Sequence, residues 1–163
     1  MIGKQPLVCS SEARDLILRV KDDYDGAEPS GNSVATLALL RLAAITDRDE
    51  FRKPAEATLR MFAARLEQIP QAVPCLLQVL DFWVEAPRRV VIAGEPDSAK
   101  VQELIRATDS VYQPNKVVLS NTGLVEAFAR TLPAKDGPVV YLCTGKACQP
   151  PSCDMGKGRL SLR

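Results

Sequence analysis

Histidine is absent from all 163 residues, and that gap removes several kinds of chemistry at once. Ser-His-Asp and Cys-His nucleophile pairs, His-ligated zinc and imidazole proton transfer are all excluded. Any acid–base step has to run through Asp, Glu, Lys, Tyr or Cys. Net charge is equally scarce. With 21 basic and 20 acidic residues the formal charge is +1, so neither a basic footprint for nucleic acid nor a polybasic membrane patch is expected. No run approaches the roughly 20 apolar residues that span a bilayer, and the first ten residues lack the apolar core of a signal peptide. The chain reads as cytoplasmic, with no nucleic-acid or membrane partner. Five cysteines, an odd number in a chain of this length, fit reduced thiols better than a disulfide framework.

What is present divides into two textures. From Asn32 to Trp83 the apolar spacing is helical. Val34, Leu37, Leu39, Leu40, Leu42 and Ile45 cover nearly every face of a first helix over 32–46, the pattern of a helix buried on most sides. Phe51, Ala55, Leu59, Phe62, Leu66 and Ile69 form a one-sided stripe on a second, with Pro54 expected in its first turn. A third starts near Pro74 and runs to Trp83, ending before Pro87. After Pro87, short apolar runs alternate with helical spacing. Strands are predicted at 88–94, 116–120 and 138–143, with helices at 98–108 and 124–131. That alternation predicts a small three-stranded parallel α/β unit. The expected organisation is a helical segment over 1–86, an α/β unit over 87–154 and a disordered tail over 155–163.

Three passages are dense enough in polar groups to suggest sites. The first spans Lys21 to Asn32, where Asp22, Asp23, Asp25 and Glu28 crowd against Gly26, Gly31 and a helix start. An EF-hand reading fails, because aligning Gly26 with the motif's glycine puts Lys21 at the first ligand position and Asn32 at the last. Ser30 or Asn32 is expected to cap the helix, which leaves Lys21, Asp22, Asp25 and Glu28 in surplus. The second, Gly94-Glu-Pro-Asp-Ser-Ala-Lys100, lies at a strand-to-helix junction but matches no phosphate-binding motif. Glu95 and Asp97 would repel an anion, so Asp97 or Ser98 is read as an N-cap. The third holds Cys143, Cys148 and Cys153. Its spacing fits neither a thioredoxin-type redox motif nor a zinc knuckle. A regulatory disulfide between Cys143 and Cys148, or burial as small hydrophobes, is open. Neither a metal nor a cofactor is expected.

Lys21-Asp-Asp-Tyr-Asp-Gly-Ala-Glu-Pro-Ser-Gly-Asn-Ser33, Val111-Tyr-Gln-Pro-Asn-Lys-Val-Val-Leu119 and Tyr141-Leu-Cys-Thr-Gly-Lys-Ala-Cys-Gln-Pro-Pro151, taken in order, resemble the C-terminal part of the spermatogenesis-associated protein 20 family. That resemblance implies a protein with a thioredoxin-like domain and an (α/α) barrel similar to six-hairpin glycosidases and N-acylglucosamine epimerases. It implies a mixed architecture here: a helical hairpin segment of an incomplete barrel, then the small α/β unit. It also implies that Asp22, Asp25 and Glu28 are acid–base groups or ligands of sugar hydroxyls, the pairing that glycosidic chemistry uses. Lys21, Tyr24, Ser30 and Asn32 would line the same pocket, which takes a sugar-like small molecule. The alternative is a non-catalytic structural or interaction module in which the polar segment only braces a helix. Either way the chain is expected to be inactive alone and to need the remainder of the barrel, or self-association.

Overall fold

The computed structural model describes residues 23–134, 136–145 and 147–153. They group into two compact units, one comprising 23–40 with Arg48–Val84 and the other 41–47 with the described residues from Glu85 onward. Lys21, Asp22 and the tail 155–163 lie outside the described residues.

The first unit is helical. Helix α1 (Gly31–Thr46) begins at Ser30, whose hydroxyl accepts from the Ser33 N–H at 3.2 Å, the usual N-cap geometry. Asn32, the other capping candidate, lies inside the first turn. The expectation of a helix buried on most sides needs correction. Val34 and Leu42 are exposed, whereas Asn32, Ser33, Thr36, Leu40 and Ala43 are buried. Those five recur at spacings of one, three and four, so α1 buries a single stripe, and its N-terminal half is polar.

Helix α2 (Asp49–Met61) buries Ala55, Thr58 and Leu59. Pro54 sits in its second turn, past the first-turn position expected for it, and the Thr58 hydroxyl donates back to the Pro54 carbonyl at 3.0 Å. The stripe predicted as one helix through Ile69 is divided at Phe62 (φ −92°, ψ 3°) into α2 and α3 (Ala63–Gln68). The division is a local loosening, since the Leu66 N–H still reaches the Phe62 carbonyl at 2.9 Å. A 3₁₀ turn, Pro70–Ala72, leads into α4 (Pro74–Val84). Leu76, Val79 and Phe82 are buried at intervals of three, each contributing roughly 1.5–3 kcal/mol of apolar burial.

The second unit is a four-stranded sheet in the order β2-β1-β3-β4. Strand β1 (Arg88–Ala93), α5 (Ala99–Asp109) and β2 (Lys116–Ser120) form a crossover, with β1 and β2 parallel and Arg88 opposite Lys116. Ser98 caps α5, accepting from the Val101 N–H. Gly94, at φ +155°, makes the junction possible, because a Cβ there would lie 2.9 Å from Val101 and 3.0 Å from Pro138. Val90, Ile92 and Val140 pack with Val101, Leu104 and Val111 in one cluster. The alternate residues Val91, Ala93 and Tyr141 are buried as well, so β1 is covered on both faces, as its continuous apolar run implies.

The three-stranded parallel unit is not what forms. Strand β3 (Val139–Thr144) runs antiparallel to β1, and β4 (Ala147–Cys148) adds to its far edge as an antiparallel hairpin. The second connection carries only the short helix α6 (Ala127–Thr131), without the full crossover helix that a parallel unit packs on its sheet, and the chain enters β3 from the opposite end. Among the described residues no helix is long and apolar enough to cross a membrane.

Candidate functional site

The acidic segment is organised around one carboxylate. Asp25 is 4% exposed, and four donors converge on it. The Ser30 N–H reaches Oδ1 at 2.7 Å. The Ser33 hydroxyl (3.1 Å), the Cys75 N–H (2.9 Å) and the Leu76 N–H (3.1 Å) all reach Oδ2. Ser33 commits its hydroxyl proton to Asp25, so in the 2.9 Å contact between the two serines Ser30 is the donor. The Asp25 N–H in turn donates to the Ala72 carbonyl at 2.9 Å.

This geometry answers a need of the helices. Val73 accepts the first α4 bond, from the Leu77 N–H, and so occupies the N-cap position with a side chain that accepts nothing. Pro74 has no N–H. The next two amides, Cys75 and Leu76, would be orphan donors, and Asp25 satisfies both while bonding the start of α1. One carboxylate caps two helices, at the positive end of each helix dipole. Burial pushes the Asp25 carboxyl up, but the donors from Ser30, Ser33 and Leu76 outweigh it and hold the pKa below the usual aspartate value. The same charge acts on Cys75, whose thiol is raised first by burial and then by Asp25, which keeps it protonated and unreactive at neutral pH.

The other candidates are dispersed around this knot. Ser30 and Ser33 belong to it, and Asn32 is buried beside them in the first turn of α1. Glu28 is exposed and Tyr24 is 54% exposed, so Glu28 and Asp25 occupy opposite kinds of environment. Asp23 faces outward to Arg65, whose guanidinium bonds the Asp23 carboxylate and carbonyl, each at 2.8 Å.

In the second unit, strand register aligns a row of side chains. Arg89 stands opposite Cys143 on β3, and Cys143 stands opposite Cys148 on β4, so all three lie on one face of the sheet. The Gln149 N–H donates to the Leu142 carbonyl at 2.8 Å, which makes the neighbouring cysteine pair a non-hydrogen-bonded one, where cross-strand side chains approach most closely. Cys143 and Cys148 are joined by a disulfide. Arg89 donates to the Glu126 carboxylate and to the Gly145 carbonyl in the hairpin turn. The Arg89 and Glu126 side chains are only 13% and 9% exposed. A cleft of about 480 Å³ opens beside this row, and no residue of the acidic segment lines it.

Sequence reasoning missed Arg89, Glu126 and the amides of Cys75 and Leu76. Two signals were available. A non-capping Val73 before Pro74 marks a helix start whose cap must come from elsewhere, and a charged residue entering the apolar run of β1 requires a partner. Nothing local marks Glu126.

Over 148 residues the chain is 34% identical to spermatogenesis-associated protein 20 of Rattus norvegicus, a match covering 86% of this chain and 19% of that protein. The Homo sapiens protein of the same name is 34% identical over 147 residues, with 85% and 19% covered. An uncharacterized protein of Caenorhabditis elegans is 31% identical over 160 residues, with 91% and 21% covered. The chain thus spans about a fifth of the length of these relatives. No protein-family model matches it, and no solved structure does. On the strength of an identity sustained along most of its length, the chain belongs to the spermatogenesis-associated protein 20 family.

Proposed function

We propose that this chain acts as a structural wall segment within a protein of its family and performs no chemistry by itself. The observation that carries this reading is the engagement of Asp25, whose two oxygens take four donors. A general acid must hold a proton, whereas this carboxyl is held ionised; a base or nucleophile must be reachable by its substrate, whereas Asp25 is buried with three of its donors on Oδ2. A second reading is favoured by the exposure of Tyr24 and Glu28 on the loop that the Asp25 knot holds in place. In it, those two side chains form the rim of a sugar-sized pocket in a complete (α/α) barrel, on a cytosolic protein that also carries a thioredoxin-like domain. Fold likeness to carbohydrate enzymes motivates that reading without establishing an activity.

Thermal denaturation of the full chain, with and without a panel of mono- and disaccharides, separates the two. The structural reading expects Asp25→Ala to lower Tm by roughly 5–10 °C, Glu28→Ala to leave it unchanged, and no sugar to shift either. A sugar that raises the Tm of the native chain and fails to do so for Glu28→Ala sinks the structural reading in favour of the rim.

A further inference from the structure

We propose that the Cys143–Cys148 disulfide is a thiol-exchange site, approached through the adjoining cleft by a small carboxylate-bearing thiol of the glutathione type. The cleft, about 480 Å³, is lined by Arg88, Arg89, Cys143, Thr144, Cys148 and Gln149 among others. Its volume falls in the range of small-molecule sites, and Arg88, an exposed residue of its lining, suits a ligand carrying a carboxylate.

The two sulfurs are unequal. Cys143 is 2% exposed, on a strand flanked by β1 and β4, whereas Cys148 is half-buried on the two-residue edge strand. An incoming thiolate therefore attacks the Cys148 sulfur. A new sulfur–sulfur bond forms between ligand and Cys148, the Cys143–Cys148 bond breaks, and Cys143 departs as a thiolate that takes a proton from water. Arg89 lies directly across the sheet from Cys143, its guanidinium held by the Glu126 carboxylate and the Gly145 carbonyl. A second thiol then attacks the ligand sulfur of the mixed disulfide and frees Cys148. Two ligand thiols are oxidised to their disulfide, and the two electrons reduce the protein pair.

Reduction loosens a defined element. Strand β4 is paired to β3 at Cys143↔Cys148 and Thr144↔Ala147, and the chain after it stays on β3 through the Gln149 N–H and the Val140↔Ser152 bridge, so the loosening is confined to the hairpin tip. Arg89, which grips the Gly145 carbonyl of the same hairpin, ties the thiol state to the buried Glu126 pair.

The experiment uses the full chain with Cys9, Cys75 and Cys153 replaced by serine. Reduced glutathione is added without denaturant, the reaction is quenched with acid, and the site of the trapped adduct is mapped by mass spectrometry. The expected result is reduction of the pair in the folded protein, with at least tenfold more glutathione on Cys148 than on Cys143. In the single-thiol variants, Cys143→Ser should take up oxidised glutathione at least tenfold faster than Cys148→Ser does. Equal or reversed partition, or a pair reduced only in denaturant, overturns the proposal. Should a single-thiol variant fail to fold, the adduct map on the intact pair decides alone.

Discussion

Each unit buries an ionised group, and the two neutralise it by different means. In the helical unit Asp25 is surrounded by neutral donors, three of them backbone amides at helix starts. In the sheet unit the Arg89 guanidinium meets a full opposing charge on Glu126. Amide dipoles that are already aligned cost nothing further to organise, and removing the carboxylate leaves behind only uncharged donors, three N–H groups and the Ser33 hydroxyl. An ion pair desolvates two charges, and removing one leaves the other stranded. Buried charges of similar exposure therefore differ in what their loss exposes.

The largest effect should come from the ion pair. Glu126→Ala strands Arg89 in a site 13% exposed and is expected to lower stability by about 3–5 kcal/mol in urea denaturation; a loss under about 1 kcal/mol would mean that Arg89 finds water, and the contrast would collapse. Next is Asp25→Ala, with an expected loss of about 2–3 kcal/mol from orphaned helix-start donors. This second effect carries a pH signature. The folded Asp25 pKa lies below its ordinary value, so its contribution is present above the unfolded pKa near 3.9 and is lost as pH falls through the folded value. The gap between native and Asp25→Ala stabilities should therefore be full at pH 7 and shrink below about pH 4; a gap that is flat from pH 7 to 2 would show that the carboxylate is not the stabilising species. Smallest is the exposed pair between Arg65 and Asp23, with side chains 37% and 56% exposed, where Arg65→Ala should cost only about 0.2–1 kcal/mol and become negligible at high salt.

Much of the element list was legible because it rests on local periodicity. Strand β2 over Lys116–Ser120, helix α4 from Pro74, and Ser98 as the α5 cap all follow from spacing and capping rules confined to a few neighbours. Errors arose where local pattern and packing diverge. Val34 and Leu42, apolar and expected in the core, are exposed, whereas the polar Ser33 and Thr36 are buried. The direction of β3 differs from the expectation because a second apolar helical stretch suggests another crossover, whereas the strand pairing that sets direction is a long-range register no local pattern carries. At the candidate site, the crowding of polar residues before α1 was visible, and so was the surplus of carboxylates. Which of them turns inward was not, because the Cys75 and Leu76 amides are 50 and 51 residues away in sequence.

By itself the sequence determined the absence of imidazole chemistry, the near balance of charge, the positions of most helices and strands, and the family, since each depends on residue identity or short-range order. Only the tertiary structure decided that Asp25 serves two helix starts, that Arg89 and Glu126 form a buried pair, and that Cys143 faces Cys148 across a hairpin. Those outcomes depend on which distant backbone donors and side chains are left unsatisfied once the elements pack, and a buried polar group accepts whichever partner the fold brings within hydrogen-bonding reach.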